Sequence, residues 1–297
     1  VETTMDPLLD PIRDAIERHC ASPHQATPIP GLTIFRMTST TPPDRALYNP
    51  RLLLIVQGAK SVALGELSFR ATPANFLLVT VNIPVTTQIE VTPDGRPHLA
   101  LTLSLDRALL AEVLQRVAAE PVATASPAAL AAAPLTDALL EPFSRLLRLL
   151  DHPDEIDFMA PLIVREIYYR LLTGALGETL TQFALNSSHV AKIGRVTDWI
   201  KHHYAEPMSI EALAELAGMS VTSFHRHFKN LTSMTPIQYR MQIRLREARR
   251  MLISEGEGAG AIGLKVGYES QSQFSRDYKR LFGAPPASDT ARLANGR

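Results

Sequence analysis

Two hydrophobic periods follow one another along this chain. Between residues 32 and 105 the apolar positions fall into short β-prone runs at 32–38, 52–57, 60–64, 66–71, 75–81, 86–91 and 98–105, separated by Pro, Gly, Asn or Asp. Short runs punctuated by turn formers predict strands, and this many of them predict a barrel or a sandwich. From Asp106 onward the spacing becomes helical. After an Ala/Pro-rich break at 121–134, one stripe runs Leu135, Leu139, Phe143, Leu146, Leu150 and another Phe158, Ile163, Ile167, Leu171, Leu172. These predict two amphipathic helices that pack on each other or on a second subunit. A short amphipathic helix over 7–18 and a Pro-punctuated link over 22–30 precede the strands. The segment 173–189, with Gly174, Gly177, Ser187 and Ser188, reads as a linker between domains.

Beyond that linker the chain repeats itself. Phe224-His-Arg-His-Phe-Lys-Asn-Leu231, followed by Pro236, recurs 50 positions later as Phe274-Ser-Arg-Asp-Tyr-Lys-Arg-Leu281, followed by Pro286. In the first copy Ile210, Leu213, Ala214, Leu216 and Ala217 form a short apolar stripe behind Ser209, which is placed to cap it. Gly218 allows the positive φ of a tight turn, and Ser220 caps a second helix whose Phe224, Phe228 and Leu231 face inward. Thr222, Ser223, His225, Arg226 and Lys229 are left facing outward. The second copy has Ile262, Val266, Gly267 and Tyr268, then an outward set of Gln271, Ser272, Gln273, Arg276 and Lys279 around inward Phe274 and Tyr278. Gly256, Gly258, Gly260 and Gly263 crowd its first helix, which should be short or frayed, since an interior Gly costs about 1 kcal/mol of helix propensity. Between the copies, Ile237, Met241, Leu245, Ala248 and Leu252 stripe a helix over 236–252 that acts as a stiff spacer.

Helix, tight turn, helix is the plan of a helix-turn-helix, and the outward groups suit DNA. Gln pairs the edge of adenine, Arg forks onto guanine, Ser and Thr serve base or phosphate, and Lys229 and Lys279 lie where phosphates would run. The competing reading of each Arg is a solvated helix face, but the repetition weighs against it. His225 and His227 are two residues apart on a helix and point to different sides, so no metal is expected there. His227 is expected to pack, and His202 and His203 to end a helix in solvent.

Those residues bring a family into view. Ser220-Val-Thr-Ser-Phe-His-Arg-His-Phe-Lys229, Arg244-Leu-Arg-Glu-Ala-Arg-Arg250, and Gly267-Tyr-Glu-Ser-Gln-Ser-Gln-Phe-Ser-Arg276 with Phe282-Gly283 resemble the AraC/XylS-type DNA-binding domain, over about residues 190 to 290. Leu47-Tyr-Asn-Pro50, Val56-Gln-Gly-Ala-Lys60 and Asn82-Ile-Pro-Val85 resemble an AraC-type N-terminal domain. The resemblance implies an α+β chain: a cupin-like β-barrel with helices over 1–180 that senses and dimerises, then an all-α domain over 190–290 with helix-turn-helix units at 209–232 and 259–283 joined by a linker helix. It also implies that Thr222, His225 and Arg226 read bases in the first unit and Gln271, Ser272, Gln273 and Arg276 in the second. Ser233 departs from the pattern, where the family often has Gly.

Charge agrees once the chain is divided. The 30 basic and 30 acidic residues cancel overall, yet from Val190 onward there are 16 basic against 10 acidic, leaving 14 against 20 before it. A basic C-terminal part draws polyanions and an acidic N-terminal part repels them. Length and 45% apolar content suffice for two globular domains. Cys20 stands alone, so no disulfide framework is expected. With no basic leader before an apolar core and no membrane-length apolar run, the chain reads as soluble and cytoplasmic.

The function expected is a transcription regulator, an activator or repressor. Its partners are double-stranded DNA, RNA polymerase (by the resemblance), a small-molecule effector of the N-terminal domain and a second copy of itself, with no membrane and no cofactor. Tyr48, Gln57 and Lys60 are the candidates for effector contact. One alternative is a constitutive DNA-binding dimer with a scaffold barrel. The other is a cupin-type enzyme, against which stands the single histidine, His98, between 32 and 114, since a His-based metal site needs more than one. No catalytic residue is assigned.

Overall fold

The computed structural model describes residues 6–117, 128–254 and 257–294. Among the described residues ten strands form two antiparallel sheets. The six-stranded sheet has the order β1 (His24–Ala26), β2 (Leu32–Met37), β9 (His98–Ser104), β4 (Arg51–Gln57), β7 (Asn75–Val79), β10 (Leu130–Pro134). The other has β3 (Asp44–Tyr48), β8 (Ile83–Glu90), β5 (Ala59–Leu64), β6 (Leu67–Ala71). All seven expected runs become strands within a few residues of their predicted ends, arranged as a sandwich of two sheets. β4 is buried from Leu52 to Gln57, because α1 (Asp6–His19) covers its sheet with Leu9, Ile12, Ala15 and Ile16. A strand covered on both faces reads as a continuous apolar run, as this one does.

Three strands went unread. β1 lies in the presumed link, β3 follows Pro42 and Pro43, and β10 sits in the Ala/Pro-rich break; the part of that break from 121 to 127 lies outside the described residues. β3 and β10 gain their hydrogen bonds from partners distant in sequence, β8 and β7, which local pattern cannot reveal, while β1 is a three-residue strand that pairs with neighbouring β2. The expected linker is another correction. It contains α5 (Gly177–Ala184), whose Leu180 and Phe183 are buried against α2 (Arg107–Arg116), α4 (Ile156–Leu172) and α6 (His189–His202). Gly177 approaches Leu172 so closely that a Cβ would come within 2.0 Å of its carbonyl oxygen, so this glycine serves packing and not looseness.

The two Leu-rich stripes do pack on each other, as α3 (Asp137–Arg148) against α4. Phe158, assigned to the buried stripe of α4, is instead 75% exposed, and with exposed Leu162 and Tyr169 it forms a bare apolar line. The buried positions Ala160, Ile163, Ile167 and Leu171 follow a different face of the same helix. Among the described residues no helix is long and apolar enough to cross a membrane.

The remaining helices are α7 (Ile210–Leu216), α8 (Val221–Thr232), α9 (Pro236–Ser254), α10 (Ala259–Lys265), α11 (Gln271–Phe282) and α12 (Pro286–Ala294). One buried core runs from α1 through the sandwich into α6, α7, α8 and the start of α9. A second, smaller core joins the later part of α9 to α10 and α11. The resemblance motifs form the seam between strands and helices. Tyr239 Oη on α9 donates to Asn82 O at 2.9 Å, Lys201 Nζ on α6 to Asn49 Oδ1 at 3.2 Å, and Arg249 on α9 pairs with Asp44 at 2.7 Å.

His98 on β9 is buried with Nδ1 unpartnered, packed against the backbone turn at Gly58. Burial, reinforced by nearby Lys60, lowers its pKa to about 4. An unfolded imidazole takes its proton near pH 6.5, so protons favour the unfolded chain between about 6.5 and 4. Stability is therefore expected to fall across that window by up to about 3 kcal/mol. Urea unfolding at pH 7.5 and 5.0 should show the loss, and His98→Gln should shrink it.

Candidate nucleic-acid interface

Each half of the repeat is assembled by the same local devices. Ser209 Oγ accepts from Ala212 N, Ser220 Oγ from Ser223 N, and Ser270 Oγ from Gln273 N, capping α7, α8 and α11. The turn glycines Gly218 and Gly267 take φ of 60° and 91°, values that L side chains resist. Helices α8 and α11 are both 12 residues long and end on left-handed residues, Gly283 in one case and Ser233 in the other. The departure at Ser233 thus leaves the helix stop in place, at a backbone cost of roughly 1 kcal/mol for a non-glycine residue.

Beneath the two exposed faces lie matching aromatic stacks. Phe224 and Phe228 meet edge-on at 5.4 Å between centroids, and Phe228 meets Tyr239 of α9 at 5.5 Å. In the second unit Tyr268, Phe274 and Tyr278 make edge contacts at 5.4 and 5.6 Å. Burial of Phe224, Phe228, Leu231, Phe274 and Tyr278 follows the expected stripes. Two expected positions differ: Leu216 and Ile237 are exposed.

The glycine-rich α10 is short, at 7 residues, but so is α7; Gly256 lies outside the described residues. Its glycines have a packing cause. A Cβ on Gly263 would stand 3.0 Å from the Phe274 ring, and one on Gly260 would stand 3.3 Å from the Gln271 amide carbon. The weak helix former is therefore what lets α11 sit close. Asp289 on α12 adds a polar anchor, buried and accepting from Tyr278 Oη and Arg249 Nε, each at 2.9 Å. The sequence reading missed this role, because Asp289 signals nothing until α12 folds back onto α9 and α11.

Thr222, His225, Arg226, Lys229, Gln271, Ser272, Gln273, Arg276 and Lys279 are all exposed, and Ser223 is half-buried at its cap. Among the described residues Arg226, Lys229, Arg276 and Lys279 make no ion pair, whereas Arg250, Lys265 and Arg280 nearby are paired with Glu247, Glu257 and Asp277. Each repeat face thus presents two cations that are not held by an acid. His227 packs, stacking on His189 at 3.8 Å, and burial first, then His189 and Arg226, holds its pKa below the usual imidazole range. His203 stacks on Trp199 at 4.6 Å and is not simply a solvated helix end. Val221, exposed at the start of α8, was not singled out from the sequence; its signal is an apolar residue lying off the buried stripe.

The effector candidates are engaged within the sandwich. Lys60 Nζ lies over the Phe35 and Tyr48 rings at 5.8 and 5.5 Å, and Gln57 donates to Pro97 O at 2.8 Å. A cleft of about 1010 Å³ opens elsewhere, between β3, β8 and α9.

Residues 28–179 match the model of the AraC-type transcriptional regulator N-terminus, and residues 213–292 match a helix-turn-helix domain. The HTH-type transcriptional activator RhaS of Salmonella paratyphi A is 30% identical over 155 residues, covering 51% of this chain and 54% of that protein. RhaS of Citrobacter koseri is 28% identical over 133 residues, 45% of this chain and 47% of that one. The chain spans about half the length of these curated relatives. ToxT of Vibrio cholerae, solved with an unsaturated fatty acid bound, shares the fold with a TM-score of 0.57 at 11% identity, over 87% of this chain and 94% of that one. A second ToxT structure, bound to (E)-4-(8-methylnaphthalen-1-yl)but-3-enoic acid, gives 0.55 at 13% identity over 92% and 100%. With its N-terminal half and its paired helical repeat each matched in order along one chain, this protein belongs to the AraC-type transcriptional regulators.

Proposed function

We propose that this protein regulates transcription by binding specific DNA with α8 and α11, residues 190–290 forming the DNA-binding unit and residues 1–180 the sensing and pairing unit. The observation that carries the reading is the pair of matched exposed faces whose cations are unpaired. Arg226 and Arg276 read guanine edges, Gln271 and Gln273 adenine, Thr222, Ser223, His225 and Ser272 base or phosphate, and Lys229 and Lys279 the phosphate backbone. Val221 adds an apolar group suited to a thymine methyl. RNA polymerase is the partner that such an arrangement would recruit or obstruct, and no catalytic step is assigned. Free, buried Cys20 suits a reducing compartment such as the cytoplasm. A second copy pairs along the bare line of Phe158, Leu162 and Tyr169; a monomeric mass at all concentrations would refute this. With a selected operator, Arg226→Ala or Arg276→Ala is expected to weaken binding by about 1 to 3 kcal/mol and relax base preference. Lys229→Ala is expected to weaken all sequences alike and flatten the salt slope by about 1. Unchanged footprints in Arg276→Ala would remove the second unit as a base reader.

The effector reading moves from the sandwich interior to the cleft. Leu47, Ile89, Ile253 and Phe282 line it with Arg45 and Arg246. Arg246 Nε and Nη1 are buried without partners, Nη2 reaches Val85 O only at 3.4 Å, and burial first, then Arg45, lowers the guanidinium to about 10. An apolar wall beside an unsatisfied cation suits an apolar carboxylic acid, the class of ligand bound in the ToxT structures. Oleate is expected to raise the melting temperature of the full chain, with affinity falling about tenfold in Arg246→Gln. Equal oleate affinity in both proteins would refute the placement.

A further inference from the structure

Three cations meet at the seam between the sandwich and α6, and none of them forms an ion pair with the acid beside them, Asp198. Arg107 opens α2, where its guanidinium lies over the Phe183 ring at 4.6 Å. Its Nη2 sits so close to α6 that a Cβ on Gly194 would come within 3.2 Å. Arg195 and Lys201 extend from α6 into the same cavity of about 390 Å³, which is also lined by Asn49, Asn82 and Ser104. Arg195 Nη1 donates to Asn186 O at 3.3 Å and Lys201 Nζ to Asn49 Oδ1 at 3.2 Å. Among the described residues none of the three makes an ion pair. The single acid of the cavity, Asp198, lies nearest a histidine, with His202 Nδ1 at 3.8 Å. Burial, and then the Arg195 charge, lowers the Arg107 pKa, opposed by Asp198. Arg107 and Lys201 are half-buried and Arg195 is exposed, and like charges gathered without ion pairs repel one another and favour an anion between them.

We propose that this cavity binds a small oxyanion-bearing ligand, of the phosphate or carboxylate class, gripped by Arg107 on one side of the seam and by Arg195 and Lys201 on the other. The larger cleft offers a wall of Leu47, Ile89, Ile253, Leu281 and Phe282 that this cavity does not have, so the two cavities take different ligands. An oxyanion here accepts charge-assisted hydrogen bonds from all three donors. It also bonds the strand-bearing half to α6, which packs on α8 through the His189–His227 stack. Occupancy therefore tightens the seam that positions the first exposed helix, independently of the apolar cleft. Two of the motifs that carry the family resemblance, those holding Asn49 and Asn82, supply its floor.

The test uses the full chain, titrated with inorganic phosphate and separately with succinate, against sodium chloride at matched ionic strength. Heat of binding and melting temperature are both read. One of the two anions is expected to bind at a single site and to raise the melting temperature above the chloride control. Arg107→Gln and Lys201→Met, the second guarding against misfolding of the first, should each weaken that binding about tenfold. The Arg226→Ala/Arg276→Ala double variant should retain it. Phosphate alone, or succinate alone, identifies the oxyanion class. The proposal is overturned if neither anion exceeds chloride, if both cavity variants keep wild-type affinity, or if the effect vanishes in the double variant, which would place the anion on the repeat faces instead.

Discussion

Everything in the C-terminal part depends on one helix being buried twice. α9 contributes Tyr239 and Ile243 to the core that descends from the sandwich, and Leu245, Ala248 and Leu252 to the separate core of the second repeat. Its 19 residues span about 28 Å at 1.5 Å each, and no interior glycine or proline weakens it. Because the Phe224–Phe228–Tyr239 stack joins α8 to one end and the core of Leu245, Ala248, Phe274 and Tyr278 joins α11 to the other, neither α8 nor α11 can turn without disturbing a packed core. Exposure of Arg226 and Arg276 on a stiff frame follows from that packing.

The seam with the strands is polar where the cores are not. Arg249 joins Asp44 of β3 to fully buried Asp289 of α12, and Asp289 also receives Tyr278 of α11. A buried carboxylate survives only if its partners stay in place, and removing one leaves an uncompensated charge. This chain of contacts links the strand layer to the second repeat, while Tyr239, Arg246 and Lys201 link it to α9 and α6. Both cavities lie along this seam. Their location gives a ligand a physical lever, since anything that prefers one spacing of strands and helices shifts the population of that spacing.

Local chemistry made the repeat legible: serine caps, glycine turns and aromatic stripes are written within a few residues of where they act. The seven strand runs were legible for the same reason. What stayed hidden depends on contacts between distant residues. β10, with three alanines beside a proline, becomes a strand because β7 offers it a ladder, and α5 holds because Phe183 and Leu180 find a pocket. Helical spacing placed Phe158 on the buried side of α4, yet the neighbouring helices cover a different arc. Gly260 and Gly263 looked like defects until the side chains of α11 were seen to fill the space above them. The Arg107, Arg195 and Lys201 cluster, drawn from segments nearly a hundred residues apart, carries no mark in the sequence.

The most direct test of the strut is a distance between the two exposed helices. Spin labels at Asn230→Cys and Arg280→Cys, exposed positions outside the DNA-contact set, in a Cys20→Ala background, report it by double electron–electron resonance on the full chain. A rigid α9 predicts a single narrow distance distribution that is unchanged when operator DNA is added. A broad or multimodal distribution, collapsing to one distance only on DNA, would contradict the claim that packing against α9 holds the pair ready beforehand.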